Sequence, residues 1–243
     1  MEITEFVNCY DDSQRAEAYA TLQFAGTYYL AYRDLPGILA EHAKGREAID
    51  FGCGTGRSTR FLRAWGFDAI GIDISEQMIR KARQIDPKGD YRLMRDGDFS
   101  GLRSAAFDLV LSVFTFDNIA AEKKVSLFRG LGSLLKPEGR IVSVVSSPEI
   151  YVHEWASFST KDFPDNRSAN SGDVVRTITT DHGDRRPVED ILCTDESYQK
   201  VYRSAGLRLL GSYKPLADGD EPYQWVNETQ IAPWGIYVLK RAG

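Results

Sequence analysis

Between residues 47 and 146 the chain alternates short apolar runs with stretches whose apolar side chains recur every third or fourth position. The runs at 47–51, 68–72, 90–94, 107–113 and 140–146 predict strands, and the stretches at 56–65, 75–85 and 121–135 predict helices. That alternation implies parallel strand pairing, with right-handed helical crossovers packed on the sheet. The connection from Asp96 to Ala106 is short and has little helical character. Lys136-Pro-Glu-Gly139 predicts a turn just ahead of the fifth strand, because proline fixes φ and glycine frees it.

On both sides of this block the pattern changes. The first 45 residues read as helical, with Ala16 to Phe24 and then Tyr28 to Leu35, the second stretch ending at Pro36-Gly37. Aromatic residues at 28, 29 and 32 cover several faces of that helix, which predicts packing on more than one side. After Ser147 the alternation stops. Tyr151, Trp155, Phe158 and Phe163 precede a polar stretch at 165–172, an alternating run at 174–180, a charged turn at 181–186 and a strand-like run at 188–194. This is the pattern of an inserted β-hairpin, too long for an ordinary loop. A helix near 195–205 and strands at Leu207 to Tyr213 and Ile231 to Lys240 complete the reading. The expected organisation is one domain over 1–243: a helical cap at 1–45, a ligand-binding core at 46–146, an insertion at 147–193 serving as acceptor lid, and the rest of the core at 194–243.

The stretch Ala48-Ile-Asp-Phe-Gly-Cys-Gly-Thr-Gly-Arg57 joins the first strand to the first helix through glycines at alternate positions. Glycine allows a sharp turn and admits a ligand to the main chain. A nicotinamide fingerprint wants glycine or alanine three places after its second glycine, and here that place is Arg57. The strand also ends on Asp50, a carboxylate that repels phosphate and attracts an ammonium or sulfonium. A cationic ligand is expected.

Glu47 to Arg60, Gly71-Ile-Asp-Ile-Ser-Glu-Gln-Met-Ile79 and Ala106-Phe-Asp-Leu-Val-Leu-Ser112 resemble, in order and spacing, the successive motifs of class I S-adenosylmethionine-dependent methyltransferases. The resemblance covers roughly residues 45–146. Gly26 to Asp34 and Trp155 to Phe163 also resemble segments of bacterial members of unassigned substrate. The resemblance implies an α/β fold with a doubly wound, mostly parallel seven-stranded sheet, a final antiparallel strand, an N-terminal helical cap over the cofactor and the hairpin insertion after strand five.

Its site residues carry over by position. Asp50, Gly52, Cys53, Gly54 and Gly56 match the segment facing the amino acid portion of S-adenosyl-L-methionine. Asp73 matches the acid that accepts the ribose hydroxyls, with Ile74 beside adenine and Met78 either wall or core. At the adenine edge Asp96 and Asp98 compete, and the pattern favours Asp98 with Phe99. Phe114 is expected near the donor, and Tyr28 or Arg33 near its carboxylate. On the acceptor side, Phe116, Asp117 and Asn118 follow strand four where base-methylating enzymes carry Asn/Asp-Pro-Pro-Tyr, a departure that lowers the expectation of base methylation. Tyr10, ahead of Asp11 and Asp12, and Trp155 are further acceptor candidates. His153, just beyond strand five, is the candidate general base, set against a structural role.

The expected function is methyl transfer to an O or N atom of a small-molecule acceptor. The alternatives are another enzyme using the same donor and a noncatalytic donor-binding regulator. Net charge is −5, and no lysine or arginine cluster predicts a phosphate-tracking surface, so no nucleic acid is expected as partner. Three scattered cysteines and three scattered histidines give neither a disulfide framework nor a metal spacing. With no apolar run of membrane-spanning length and no basic-then-apolar leader, a cytoplasmic protein is expected, monomeric or homodimeric.

Overall fold

The computed structural model describes Asp12, Glu17, Ala18, Ala20 and residues 25–181 and 183–242. Of the expected helix at 16–24, Glu17, Ala18 and Ala20 are described and helical, and the rest of it, with the candidate Tyr10, lies outside the described residues.

Seven strands form the central sheet: β1 Glu47–Phe51, β2 Asp68–Asp73, β3 Asp90–Leu93, β4 Phe107–Val113, β5 Leu135–Ser146, β9 Leu207–Tyr213 and β10 Trp234–Arg241. Their order is β3-β2-β1-β4-β5-β10-β9. The first five pair in parallel, and β10 runs antiparallel to both β5 and β9. The α/β class, the strand count and the antiparallel strand agree with the sequence reading. Side chains alternate between two cores, as the strand period of two requires. Ala48, Leu109, Leu111, Val142 and Val144 bury on one face, and Ile49, Phe51, Val110, Ile141 and Val145 on the other.

Helices α1 Thr27–Arg33, α2 Leu35–His42 and α3 Arg57–Ala64 contribute to the first core, and α5 Ala121–Leu134 with α6 Asp195–Ser204 to the second. Helix α4 Glu76–Ile85 covers the β3 end. Its start follows the expected cap: the Ser75 side chain accepts from the Met78 N–H. Three local expectations change. Pro36-Gly37 does not stop the helical segment; Pro36 lies in the first turn of α2, where an N–H has no helical partner to lose. Residues 136–139 do not stand outside the fifth strand but interrupt its ladder, which jumps from Phe107 opposite Leu135 to Leu109 opposite Arg140. The insertion holds three strands rather than two: β6 Phe158–Ser159, β7 Val174–Thr179 and β8 Val188–Ile191, all antiparallel.

This small sheet is held against the domain by backbone and carboxylate bonds. The Ile191 N–H donates to the Asp117 carbonyl (2.7 Å), joining β8 to the segment after β4. Glu228 is fully buried and accepts from the Thr27 hydroxyl (2.6 Å), the Ala156 N–H (2.8 Å), the Val226 N–H (2.8 Å) and the Asn227 N–H (3.0 Å). One side chain thereby ties α1, the start of the insertion and the C-terminal loop together. Glu228→Ala strands those donors without an acceptor. It is expected to lower stability by about 3 kcal/mol, read as a reduced urea midpoint with an unchanged m-value.

Candidate functional site

Sheet order reverses between β1 and β4, and a crevice opens beyond the carboxyl ends of the strands at such a point. A cavity of about 290 Å³ lies there. Its floor is the β1 loop: Gly52 and Gly54 have φ of 71° and 52°. A Cβ on Gly52 would stand 2.2 Å from Thr115, whose hydroxyl donates to the Phe51 carbonyl (3.0 Å). Only glycine lets the loop pass so close beneath the segment following β4.

At one end of the cavity stands Asp73, on the last position of β2. Its Oδ2 accepts from the Gly54 N–H and its Oδ1 from the Ser75 N–H, both at 2.8 Å. The carboxylate is therefore fixed by the two loops that flank it. Ile72, Ile74, Met78, Met94 and Leu127 make an apolar slot beside it. Lys123 lines the same end and is paired with Asp96.

Phe114 lines the cavity with φ 61°, a left-handed backbone that bulky residues rarely adopt and that costs on the order of 1–3 kcal/mol. Its N–H donates to the Val144 carbonyl (2.9 Å), and its ring packs 4.5 Å from Trp234 and 5.8 Å from Tyr28. Phe158 of β6 joins them, 4.9 Å from Tyr28 and 5.7 Å from Trp234. All four rings line the cavity.

Beyond the rings lies a pair of carboxylates. Asp117 accepts from the Ser146 N–H (3.1 Å) and hydroxyl (2.9 Å), and Asp190 of β8 accepts from the Tyr151 hydroxyl (3.1 Å). Burial and mutual repulsion raise the Asp117 pKa, and burial raises that of Asp190. Behind them Lys124 is fully buried, its Nζ without a hydrogen-bond partner and 5.1 Å from the Tyr198 ring centre, so burial lowers its pKa. At the rim Arg186 pairs with Asp184 (2.8 Å) and Asp12 (3.1 Å).

The cavity wall thus gathers Tyr28, Gly52, Gly54, Asp73, Ile74 and Met78, and with them Phe114, Asp117 and Asn118 from the segment after β4. Other candidates lie elsewhere. Asp50 turns away under the loop: it is fully buried, accepts from the Ser58 (2.7 Å) and Thr59 (2.6 Å) hydroxyls, and fastens β1 to α3. Cys53 and Gly56 pack beneath the loop toward Tyr91, and burial pushes the Cys53 thiol up. Asp96, not Asp98, reaches the wall; Asp98 is rotated outward by the turn at Gly97 (φ 71°) and accepts from the Ser100 N–H (2.9 Å). Phe99 packs on Phe51 and over Gly130.

Arg33 is spent on Asp34 (2.8 Å) and Glu221 (2.9 Å), off the wall. Phe116 is a core residue stacked on Phe128 at 4.0 Å, because side chains after β4 alternate between cavity and core. Trp155 is buried, its indole N–H donating to the Ile150 carbonyl (3.0 Å). His153 is off the cavity wall and paired with Glu149 at 3.1 Å, an arrangement that suits a surface ion pair. The cavity residues missing from the sequence reading include Met94, Thr115, Tyr151, Phe158, Asp190 and Trp234. Among the described residues no group of three metal-ligating side chains occurs, and no helix is long and apolar enough to cross a membrane.

Residues 48–139 match the family described as "Methyltransferase domain". An uncharacterized methyltransferase of Geobacillus sp. is 34% identical over 113 residues, covering 46% of this chain and 52% of that one. The 18S rRNA (guanine-N(7))-methyltransferase of Arabidopsis thaliana is 33% identical over 40% of this chain and 36% of its own length. The chain spans about half the length of the first curated relatives it matches. The CcbJ methyltransferase of Streptomyces caelestis superposes with a TM-score of 0.69 at 16% identity, covering 98% of this chain and all of that one, a likeness of fold. Residues 48–139 are thus similar to methyltransferase domains, and the fold is that of solved S-adenosylmethionine-dependent methyltransferases.

The placement of Asp50 has a measurable consequence. Burial raises its pKa from 3.8 to about 6, so the folded chain holds this proton more tightly than the unfolded one. Its contribution to stability is then greatest at low pH and falls as pH rises from about 4 through about 6. Asp50→Asn removes the buried charge and is expected to stabilise the ligand-free protein at pH 8 by about 1–3 kcal/mol. The gain should shrink at pH 5, as measured by chemical denaturation at both values.

Proposed function

We propose that the protein transfers the methyl group of S-adenosylmethionine to an O or N atom of a small-molecule acceptor. The observation that carries this reading is the single cavity running from Asp73 to the inserted sheet, with an apolar slot at one end and a polar, ring-lined chamber at the other. The residues present fit the cofactor. Both Asp73 oxygens are oriented by backbone N–H groups and the residue lines the cavity, an acceptor-only carboxylate of the kind vicinal ribose hydroxyls need. The Ile74, Met78 and Met94 slot has the flat apolar character that adenine requires, and Asp96 stands at its edge in the place expected of Asp98. The Gly52–Gly54 main chain offers close approach to the amino acid portion.

S-adenosylmethionine supplies a methyl group on a positively charged sulfur, ready for in-line displacement. The work left to this chain is positioning and exclusion of water. Phe114, Tyr28, Phe158 and Trp234 form apolar walls that leave little room for solvent and direct an acceptor along the cavity axis. Thr177, Thr179 and Val188 of the inserted sheet roof the acceptor chamber. That enclosed roof favours a small acceptor over a polymer.

Calorimetric titration with S-adenosylmethionine and S-adenosylhomocysteine tests the reading directly, with micromolar binding expected for both. Asp73→Ala is expected to weaken binding by about 1–3 kcal/mol while the thermal transition stays in place. Binding of neither nucleoside would sink the reading.

A further inference from the structure

We infer that the acceptor is an amine, received as its ammonium form between the four rings and the Asp117–Asp190 pair, with Asp190 taking the proton from the nitrogen. The inference rests on the proposed methyl-transfer reading and narrows its acceptor. Two features of the acceptor chamber point to a cation.

First, the rings of Tyr28, Phe114, Phe158 and Trp234 crowd one another at 4.5 to 5.9 Å between centres and present aromatic surface to the cavity. Aromatic faces attract ammonium groups, more strongly once water is excluded. Second, two carboxylates line the same chamber, and among the described residues neither forms an ion pair with a lysine or arginine. The charged groups nearby are otherwise committed. Arg186 pairs with Asp184 and Asp12 at the rim, and Lys123 pairs with Asp96 at the far end. Lys124, behind the carboxylates, is buried off the wall with Cys193 and Tyr198 around it. The cation that acts on both acids is Lys124, whose charged form burial disfavours, and a ligand ammonium in the chamber would add the charge the pair is short of.

The two acids are not equivalent. Asp117 is buried and held by both donors of Ser146, and burial with the neighbouring Asp190 pushes its pKa up to about 8, so near neutral pH the pair shares a proton and the ionised member is Asp190. Asp190 is half-buried on β8, with a hydrogen bond from Tyr151, and so is the better placed to receive a proton. Burial raises its pKa to about 6, less than that of Asp117, so Asp190 is the ionised member near neutral pH and still stands closer to an amine than a solvated carboxylate does. The balance is simple: the ammonium N–H proton passes to the Asp190 carboxylate, and the freed nitrogen pair forms the N–CH3 bond. The S–CH3 bonding pair stays on sulfur, leaving neutral S-adenosylhomocysteine, the N-methylammonium product and a proton on Asp190 that leaves to water.

The test uses the whole protein saturated with S-adenosylhomocysteine and follows probe binding by calorimetry at pH 8. The probes are cyclohexylamine and n-butylamine, each against its matching alcohol. The expected result is at least a tenfold preference for the amines. Asp190→Asn should remove that preference while S-adenosylhomocysteine affinity stays within twofold, and Tyr151→Phe should reduce it. Lowering the pH toward 5 should also weaken amine binding in the wild-type protein, because protonated carboxylates no longer attract the ammonium; Lys124, Tyr151, Cys193 and Tyr198 are the other titratable groups facing the pair. Equal affinity for amines and alcohols, or binding of neither, would overturn the inference and leave the methyl-transfer reading standing. An amine preference that survives in Asp190→Asn would overturn the assignment of Asp190. Failure of the wild-type protein to bind S-adenosylhomocysteine would remove the parent reading and this inference with it.

Discussion

The parallel pairing of β1 with β2 on one side and β4 on the other is the constraint from which the site follows. Both neighbours end near the point where β1 breaks into glycines, so their exit segments must diverge. The Gly52 N–H and Cys53 N–H both donate to the Ile72 carbonyl, at 2.9 and 3.0 Å, which keeps the loop on the β2 side. Thr115 presses from the β4 side. Between the two exits lies the crevice, and Asp73 stands in it because its oxygens accept from both the β1 loop and the start of α4. The end of the crevice at Asp73 thus follows from strand order and from the loops that flank it.

The acceptor chamber has a different origin. Its roof comes from residues 158–191, which add nothing to the seven-stranded sheet. Two attachments hold that roof at a set height: the Ile191 N–H on the Asp117 carbonyl, and the buried Glu228 carboxylate joining Ala156 to Thr27. Trp234, the first residue of β10, donates its indole N–H to the Thr27 carbonyl (2.7 Å) and so seats α1 beside the rings. Segments far apart in sequence therefore meet around one polar core, and the chamber depends on all of them.

This division explains what could be read from sequence. Apolar runs and glycine spacing located the strands and the donor loop, because those are local signals. Ser75 as a helix cap, Asp73 at a strand end and Phe114 directly after β4 follow from position along one element. Distinguishing Asp96 from Asp98 required the direction of a turn, which Gly97 decides with its positive φ. Phe116 and Asp117 are adjacent, yet one enters the core and the other the cavity, a choice set by where β4 ends. Arg33, Trp155 and His153 have side chains of the type a site uses, but Glu221, the Ile150 carbonyl and Glu149 engage them. Tyr151 and Asp190 meet across 39 positions, a pairing with no local pattern to announce it.

Charge gives the arrangement its internal logic. A sulfonium donor and an ammonium acceptor repel each other, so two cations drawn into one small chamber need negative charge from the protein. Asp73 and the Asp117–Asp190 pair supply it from opposite ends of the cavity, with aromatic walls between them. Once the acceptor loses its proton to a carboxylate, one cation and one anion vanish together. The remaining neutral nitrogen then faces the sulfonium without repulsion, in apolar surroundings where the positive charge can pass from sulfur to nitrogen with little change in total charge. An aliphatic alcohol would place a different demand on the same groups: its oxygen carries no charge to be attracted, and its proton is far harder for a carboxylate to take. The rings and the paired acids serve the nitrogen case at both steps, attraction and proton removal, and that coincidence ties the chamber's shape to its chemistry.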